Sequence, residues 1–198
     1  MRVMKRDKRS GFTLVELLVV MTIVAILMGL AIPGVGIAFE AAKKAQAGVV
    51  VNQLKVAMTN YKTEYGRWPV YALQNPEPDE ILEAGMLYYM LTGTEEKSKQ
   101  MDNPRRIPFM EFNLKDLRQG PPDANNVRPP VNPEDADTFV DPWNREYLMV
   151  FDLDYDNRVL VPSLNPNLEE DVYMNTSMAF WSTGADGDVR AKYIATWK

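Results

Sequence analysis

The chain contains no cysteine and no histidine among its 198 residues. Without cysteine there is no disulfide, no thiol nucleophile, no thiolate metal site and no lipid anchor on a cysteine. Without histidine, a Ser-His-Asp triad, a Cys-His dyad and a His-ligated zinc site are all impossible. An enzyme built on this chain would be left with carboxylate chemistry or a metal held by Asp and Glu. Positive charge is scarce over most of the length. The whole chain carries −5, while Arg2, Lys5, Arg6, Lys8 and Arg9 against Asp7 give residues 1–11 a balance of +4, which leaves −9 on residues 12–198. A segment that acidic repels phosphate backbones, so nucleic acid is not expected as a partner.

Charge of either sign is missing from Leu17 to Phe39, a run of 23 residues. As a helix rising about 1.5 Å per residue, that run covers about 34 Å, enough for a hydrocarbon core near 30 Å. Bases lie on its N-terminal side, so the positive-inside bias places residue 1 in the cytoplasm and the rest of the chain outside. Three readings fit a basic start followed by an apolar run. The first is a secretory signal peptide, for which Gly29-Leu30-Ala31 offers a small-x-small cleavage site. The second is an uncut anchor, and the third is a prepilin. Glu16 separates them. A carboxylate inside an apolar segment costs about 2.5–3.5 kcal/mol on insertion scales, and neither a plain anchor nor a signal peptide gains anything from it.

The run Lys8-Arg9-Ser10-Gly11-Phe12-Thr13-Leu14-Val15-Glu16-Leu17-Leu18 resembles the type IV pilin-like family, which includes the pseudopilins of type II secretion. The resemblance implies that a prepilin peptidase cuts after Gly11 on the cytoplasmic side. It implies too that the new terminus at Phe12 is N-methylated and that Glu16 takes part in filament assembly. Pro33 falls where many members carry a helix-weakening proline. The implied partners are other copies of the chain, further pseudopilins, the peptidase, the inner-membrane secretion platform and the membrane itself. The implied location is the cytoplasmic membrane, crossed once, with the head in the periplasm.

After Phe39 the pattern turns amphipathic. Glu40, Lys43, Lys44, Gln46, Lys55, Lys62 and Glu64 mark a polar side; Ala42, Ala45, Val49, Val50, Leu54, Ala57, Met58, Tyr61 and Tyr65 supply an apolar stripe. One helix is therefore expected from about Thr13 to about Tyr65, weakened at Pro33, Gly34 and Gly36, with Gly66 as its C′ stop and Pro69 soon after. The expected organisation is a leader over 1–11, a transmembrane half-helix over 12–39, an amphipathic half over 40–65 and a globular head over 66–198. The fold class is α+β, a long N-terminal helix laid on a small antiparallel sheet.

Within the head, residues 79–92 read as a second helix between Asp79 as N-cap and Gly93 as stop. Residues 107–112 read as an edge strand, and 119–142 as an irregular excursion rich in proline. Tyr147–Phe151 and Arg158–Val161 read as two strands joined by a hairpin turn at Asp154–Asn157, with a further strand over 172–182.

Two loops concentrate acids. Asp152-Leu-Asp154-Tyr-Asp156-Asn157 opens like a calcium loop. However, Asn157 stands at the glycine position and Ser163 at the twelfth, so a solvated turn explains the same residues. Ser182-Thr183-Gly184-Ala185-Asp186-Gly187-Asp188, taken with Asp141-Pro142-Trp143 and Tyr147, resembles the C-terminal half of major type II pseudopilins. That resemblance implies calcium at Asp186 and Asp188, but Arg190 and Lys192 stand where such proteins supply further acids. Trp68, Trp143, Trp181 and Trp197 read as core packing rather than a sugar platform. Glu95-Glu96 and Glu169-Glu170-Asp171 read as solvated faces rather than catalytic pairs.

The expected function is a structural subunit, not an enzyme. The lack of cysteine, the Asp-Pro-Trp run and the Ser-x-Gly-x-Asp-Gly loop favour a pseudopilin over an adhesive type IV pilin, many of which close a C-terminal loop with a disulfide. A pilus for adhesion, motility or DNA uptake is the nearest alternative, and a membrane-tethered exported enzyme or binding domain a more distant one.

Overall fold

The computed structural model describes residues 12–70, 72–74, 76–94, 102–112, 117, 139–165, 167–168, 170–187 and 189–197, without the side chains of 30–34 and 86. The chain divides into two compact units, Met1–Ala42 and Lys43–Lys198. Helix α1 runs from Leu14 to Tyr65, 52 residues, and its helical backbone continues through Pro33 and Gly36. It stops where the sequence says it should. Gly66 takes the left-handed φ of +70° and donates its N–H to the Lys62 carbonyl (2.8 Å), satisfying one of the orphaned acceptors of the last turn.

In the first unit every described large apolar side chain is exposed, from Phe12 at 84% and Leu14 at 81% to Phe39 at 66%. In the second unit the helix has one buried stripe: Ala47, Val51, Leu54, Ala57, Met58 and Tyr61. This stripe differs in phase from the sequence expectation. Ala42, Ala45 and Val49 are exposed, and Val50 is only partly covered. Three consecutive valines at 49–51 leave a 3.6-residue period free to choose its face, and the shape of the sheet decides.

Four strands form the main sheet in the order β1 (Leu82–Glu83), β2 (Leu148–Phe151), β5 (Met178–Ser182), β6 (Ile194–Ala195), all antiparallel. Strands β3 (Val159–Val161) and β4 (Val172–Met174) make a separate two-stranded ribbon. Period-2 alternation sends Met149, Phe151, Met178 and Phe180 into the cluster that contains the α1 stripe. It sends Val150, Ala179 and Trp181 into a second cluster with Val159 and Val161 of the ribbon. The sheet is therefore covered on both faces, and all five residues of β5 are buried. A strand covered on both faces reads as a continuous apolar run, as Met-Ala-Phe-Trp does. Trp68 and Trp181 are core residues, while Trp143 and Trp197 pack partly buried against one cluster each.

Four sequence expectations are corrected. Residues 79–92 are not one helix. Leu82–Glu83 pairs with Leu148–Met149 as an edge strand, Ala84–Leu87 is a 3₁₀ turn, and only Tyr88–Thr92 is α-helix (α2). Asp79 is no cap; it has φ +62° and accepts the N–H of Leu160 (2.8 Å). A free sheet edge offered ladder bonds that outweigh local helix propensity. Residues 107–112 form no strand. Pro108 has no N–H to give a ladder, and Phe109 and Met110 instead donate to the Leu91 carbonyl (2.8 and 3.1 Å), closing the C-terminus of α2. The segment before them is fixed by Asn103, whose amide donates to Met90 and Ile107 carbonyls and accepts from Tyr65.

The other two corrections concern sheet membership. β2 and β3 are not a hairpin, because β2 pairs with β1 and β5 while β3 pairs with β4. The segment 152–158 carries the chain from one sheet to the other, with Tyr155 and Asn157 both left-handed. Residues 172–182 are two strands in different sheets, broken at Asn175–Ser177, where Thr176 donates to the Met174 carbonyl (2.9 Å). The proline-rich excursion falls at 119–138 outside the described residues, apart from its end at Phe139–Pro142.

Gly93 ends α2 with φ +65°, as expected, and a Cβ there would sit 2.7 Å from the Arg106 carbonyl oxygen. Gly66 has nothing within 4 Å of the same position. Gly66→Ala is expected to cost only the left-handed penalty, about 1 kcal/mol. Gly93→Ala is expected to cost about 1–3 kcal/mol more, since backbone must move to admit the methyl. Denaturant unfolding of the two variants in detergent measures the difference.

Candidate functional site

The first turn of α1 is built by Thr13 and Glu16. The Thr13 hydroxyl accepts the Glu16 N–H (3.2 Å), and Glu16 Oε2 accepts both the Thr13 N–H (2.9 Å) and the Thr13 hydroxyl (2.8 Å). This is a capping box, Thr-x-x-Glu, satisfying donors that the helix cannot pair internally. The pattern was present in the sequence, where the helix-cap role of Glu16 went unread beside its cost in an apolar segment. A carboxylate in the first turn also faces the positive end of the helix dipole. Both local bonds go to Oε2, so Oε1 has no partner among the described residues. Phe12 precedes this box, fully accessible, and Gly11 lies outside the described residues.

The Asp-Pro-Trp run proves to be a clamp. Asp141 is buried; its Oδ1 accepts the N–H groups of Trp143 and Arg145 (both 2.9 Å), and its Oδ2 accepts the Ser182 hydroxyl (2.6 Å). Ser182 Oγ in turn accepts the N–H of Gly184 (3.0 Å). One carboxylate thus ties the turn before β2 to the start of the 182–188 loop. Sequence reading placed both motifs together without supplying this chemical link.

Of the two aspartates expected to hold calcium, Asp186 is exposed and ion-paired to Lys192. The hydrogen bond and charge of Lys192, with lesser help from Arg145 and Lys44, hold its carboxyl below the ordinary 3.8. Asp188 lies outside the described residues. Asp171 pairs with Arg190 (2.6 Å), so both bases that replace acids in this loop have carboxylate partners. In the other acidic loop, carboxylate oxygens of Asp152, Asp154 and Asp156 lie within 4.8 Å of one another. Asp152 is buried, and its Oδ1 has no hydrogen-bond partner among the described residues. Such an unsatisfied buried acceptor costs about 1–3 kcal/mol.

The family of the prokaryotic N-terminal methylation motif matches residues 6–32. That stretch contains Gly11, Phe12 and Glu16 and identifies a type IV pilin-like processing signal, as the run of residues implied. Neither curated proteins nor solved structures give a match. Among the described residues, whose side chains break at 30–34, no helix is long and apolar enough to cross a membrane.

Asp141→Ala is expected to destabilise the head by about 3 kcal/mol, because two backbone donors and a hydroxyl lose their acceptor in a buried site. Asp141→Asn keeps the Oδ1 acceptor and is expected to cost about 1 kcal/mol, both read from denaturant midpoints. Asp186 is expected to titrate below 3.8 and to move up towards it in Lys192→Ala, followed by carboxyl-carbon NMR. The sign follows from its depressed value: the ion pair contributes at pH above 3.8 and is lost as pH falls through the native midpoint.

Proposed function

We propose that this chain is a structural subunit of a periplasmic pseudopilus serving type II protein secretion, held in the cytoplasmic membrane until it is drawn into the filament. The observation that carries the reading is Glu16: a lone carboxylate four residues after Phe12, inside a methylation motif and ahead of 23 residues without charge. The exposed apolar side chains of residues 12–29 and 35–39 support it, since surface of that kind requires lipid or neighbouring subunits as cover.

The chemistry is one of charge satisfaction. Cleavage after Gly11 creates a cationic amine at Phe12. In lipid that amine and the Glu16 carboxylate each need a partner. Within one chain the Thr13 cap occupies Oε2, and Oε1 is open among the described residues. When subunits stack, the amine of one chain reaches the open oxygen of its neighbour. The pair is complete only in the polymer, and completing it fixes the axial stagger. A head-to-tail contact repeated without closure yields a helical filament. Peptidase, motor and secretion platform are separate proteins, and this subunit performs no catalysis.

The pseudopilus is preferred to an adhesive or retractile pilus because the head has no cysteine to close a C-terminal loop and uses the Asp141–Ser182 clamp there instead. Intact-mass analysis with N-terminal sequencing, on protein extracted from host membranes, is expected to give a methylated Phe12 start. A start at Ile32 or Pro33 means signal-peptide removal, and an intact Met1 means a plain anchor; either overturns the proposal. Glu16→Ala is expected to leave cleavage intact and abolish filaments seen by electron microscopy. Normal filaments from that variant would refute the assembly role.

A further inference from the structure

The crossing between the two sheets holds a cluster that the filament reading does not use. Asp152 closes β2 and is pinned on both sides of its backbone. Its N–H donates to the Ser177 carbonyl (3.1 Å), and its carbonyl accepts the indole N–H of buried Trp68 (2.8 Å). Its side chain therefore has little freedom to leave. Oδ2 accepts the N–H of Asn157 (3.1 Å), which draws the loop back on itself, and Oδ1 is buried with no partner among the described residues. Asp154 and Asp156, both exposed, each bring a carboxylate oxygen to within 4.8 Å of a carboxylate oxygen of Asp152.

We propose that Asp152, Asp154 and Asp156 form a calcium site in the exported head, with the unpartnered oxygen of Asp152 as its fixed ligand. Oxygens bound to one calcium ion lie about 2.3–2.6 Å from it, so any two can be up to about 5 Å apart, and this trio fits. The spacing is that of positions one, three and five of a calcium loop, and the sixth position there needs a sharp turn that glycine usually provides. Asn157 provides it with φ +63°, and asparagine is among the few side chains that accept this conformation. The sequence objection at that position is thereby removed. Magnesium suits the site less, because it demands a strict octahedron at about 2.0–2.1 Å and gives up water reluctantly.

The objection at the twelfth position stands, since Ser163 supplies no bidentate carboxylate. The affinity is therefore that of extracellular modules, with a dissociation constant of about 10⁻⁴–10⁻³ M. Competing cations are present. The Arg158 guanidinium bonds Asp156 Oδ2 (2.6 Å) and lies 5.2 Å from the Tyr173 ring, and the Lys62 ammonium lies 5.5 Å from the Tyr155 ring. One guanidinium on three carboxylates leaves the cluster anionic, and calcium binding releases Arg158 from Asp156 while it keeps its place over Tyr173. The bound ion would fix the β2-to-β3 crossing and, through the Trp68 bond, the exit from α1. This holds whether or not the chain assembles into a filament.

The test is calcium titration of the full-length chain in neutral detergent after stripping with a chelator, read by calorimetry and by melting temperature. Calcium is expected to bind with one site per chain and to raise Tm, half-maximally at about 10⁻⁴–10⁻³ M, by the linkage of ligand to the native state. Asp154→Asn combined with Asp156→Asn removes only exposed charges, and this variant is expected to fold and to lose both responses. Asp186→Asn is expected to keep them. Absence of a response in the parent chain, its survival in the double variant, its loss in Asp186→Asn, or an equal response to magnesium would each overturn the assignment.

Discussion

The head depends on one stripe of α1 that cannot stay wet. Leu54, Met58 and Tyr61, with the small Ala47 and Ala57 and the branched Val51, meet Met149, Phe151, Met178 and Phe180 from the sheet. Large side chains of this kind contribute about 1.5–3 kcal/mol each on full burial. Other elements are positioned by that contact. Trp68 folds back from the end of the helix to stack on Phe151, with ring centroids 4.9 Å apart, and Lys62 covers its outer face at 4.0 Å. Tyr61 and Tyr65 hold Phe109 at 5.5 and 6.1 Å and bond residues 102–103 through their hydroxyls. Burial and the Asp102 carboxylate push the Tyr61 phenol above its usual range, so it stays a neutral donor.

The same helix shows opposite solutions in its two halves. Residues 43–65 have a stripe and a sheet to cover it. Residues 12–39 are apolar all round, which no single neighbouring face can cover. A helix apolar on every side needs a surrounding medium, either lipid or a bundle of identical helices. The single carboxylate in that half therefore has unusual weight. Thr13 satisfies one of its oxygens locally, so the charge is not left wholly unpaired within the chain.

Features set by local chemistry were legible in the sequence. Gly66 and Gly93 stop their helices because left-handed φ favours glycine, and that preference is written at one position. The run from Gly11 to Glu16 was legible for the same reason. The misread elements are those decided by partners distant in sequence. Leu82–Glu83 becomes a strand because Leu148–Met149, more than sixty residues later, presents an edge. The break at Asn175–Ser177 and the crossing at 152–158 follow from strands changing sheets, and the apolar pattern is alike whichever sheet a strand joins. The stripe of α1 was found, but its phase was not, since Val49, Val50 and Val51 look the same until a sheet selects among them.

The two acidic loops show how a similar local spacing separates in three dimensions. Asp186 is exposed and has a lysine six residues away, so its charge is already balanced by a side chain that costs little to hold in water. Asp152 is buried at a strand end, where its backbone bonds fix it and one oxygen has no donor among the described residues. A cation at the first loop must displace Lys192 and gains little; at the second it displaces Arg158 from Asp156 but satisfies a buried acceptor that has no partner among the described residues. Sequence resemblance points to the first loop because its glycines and aspartates match a family's pattern of residue types. Burial points to the second, and desolvation of a fixed ligand oxygen is the property that a hard cation can use.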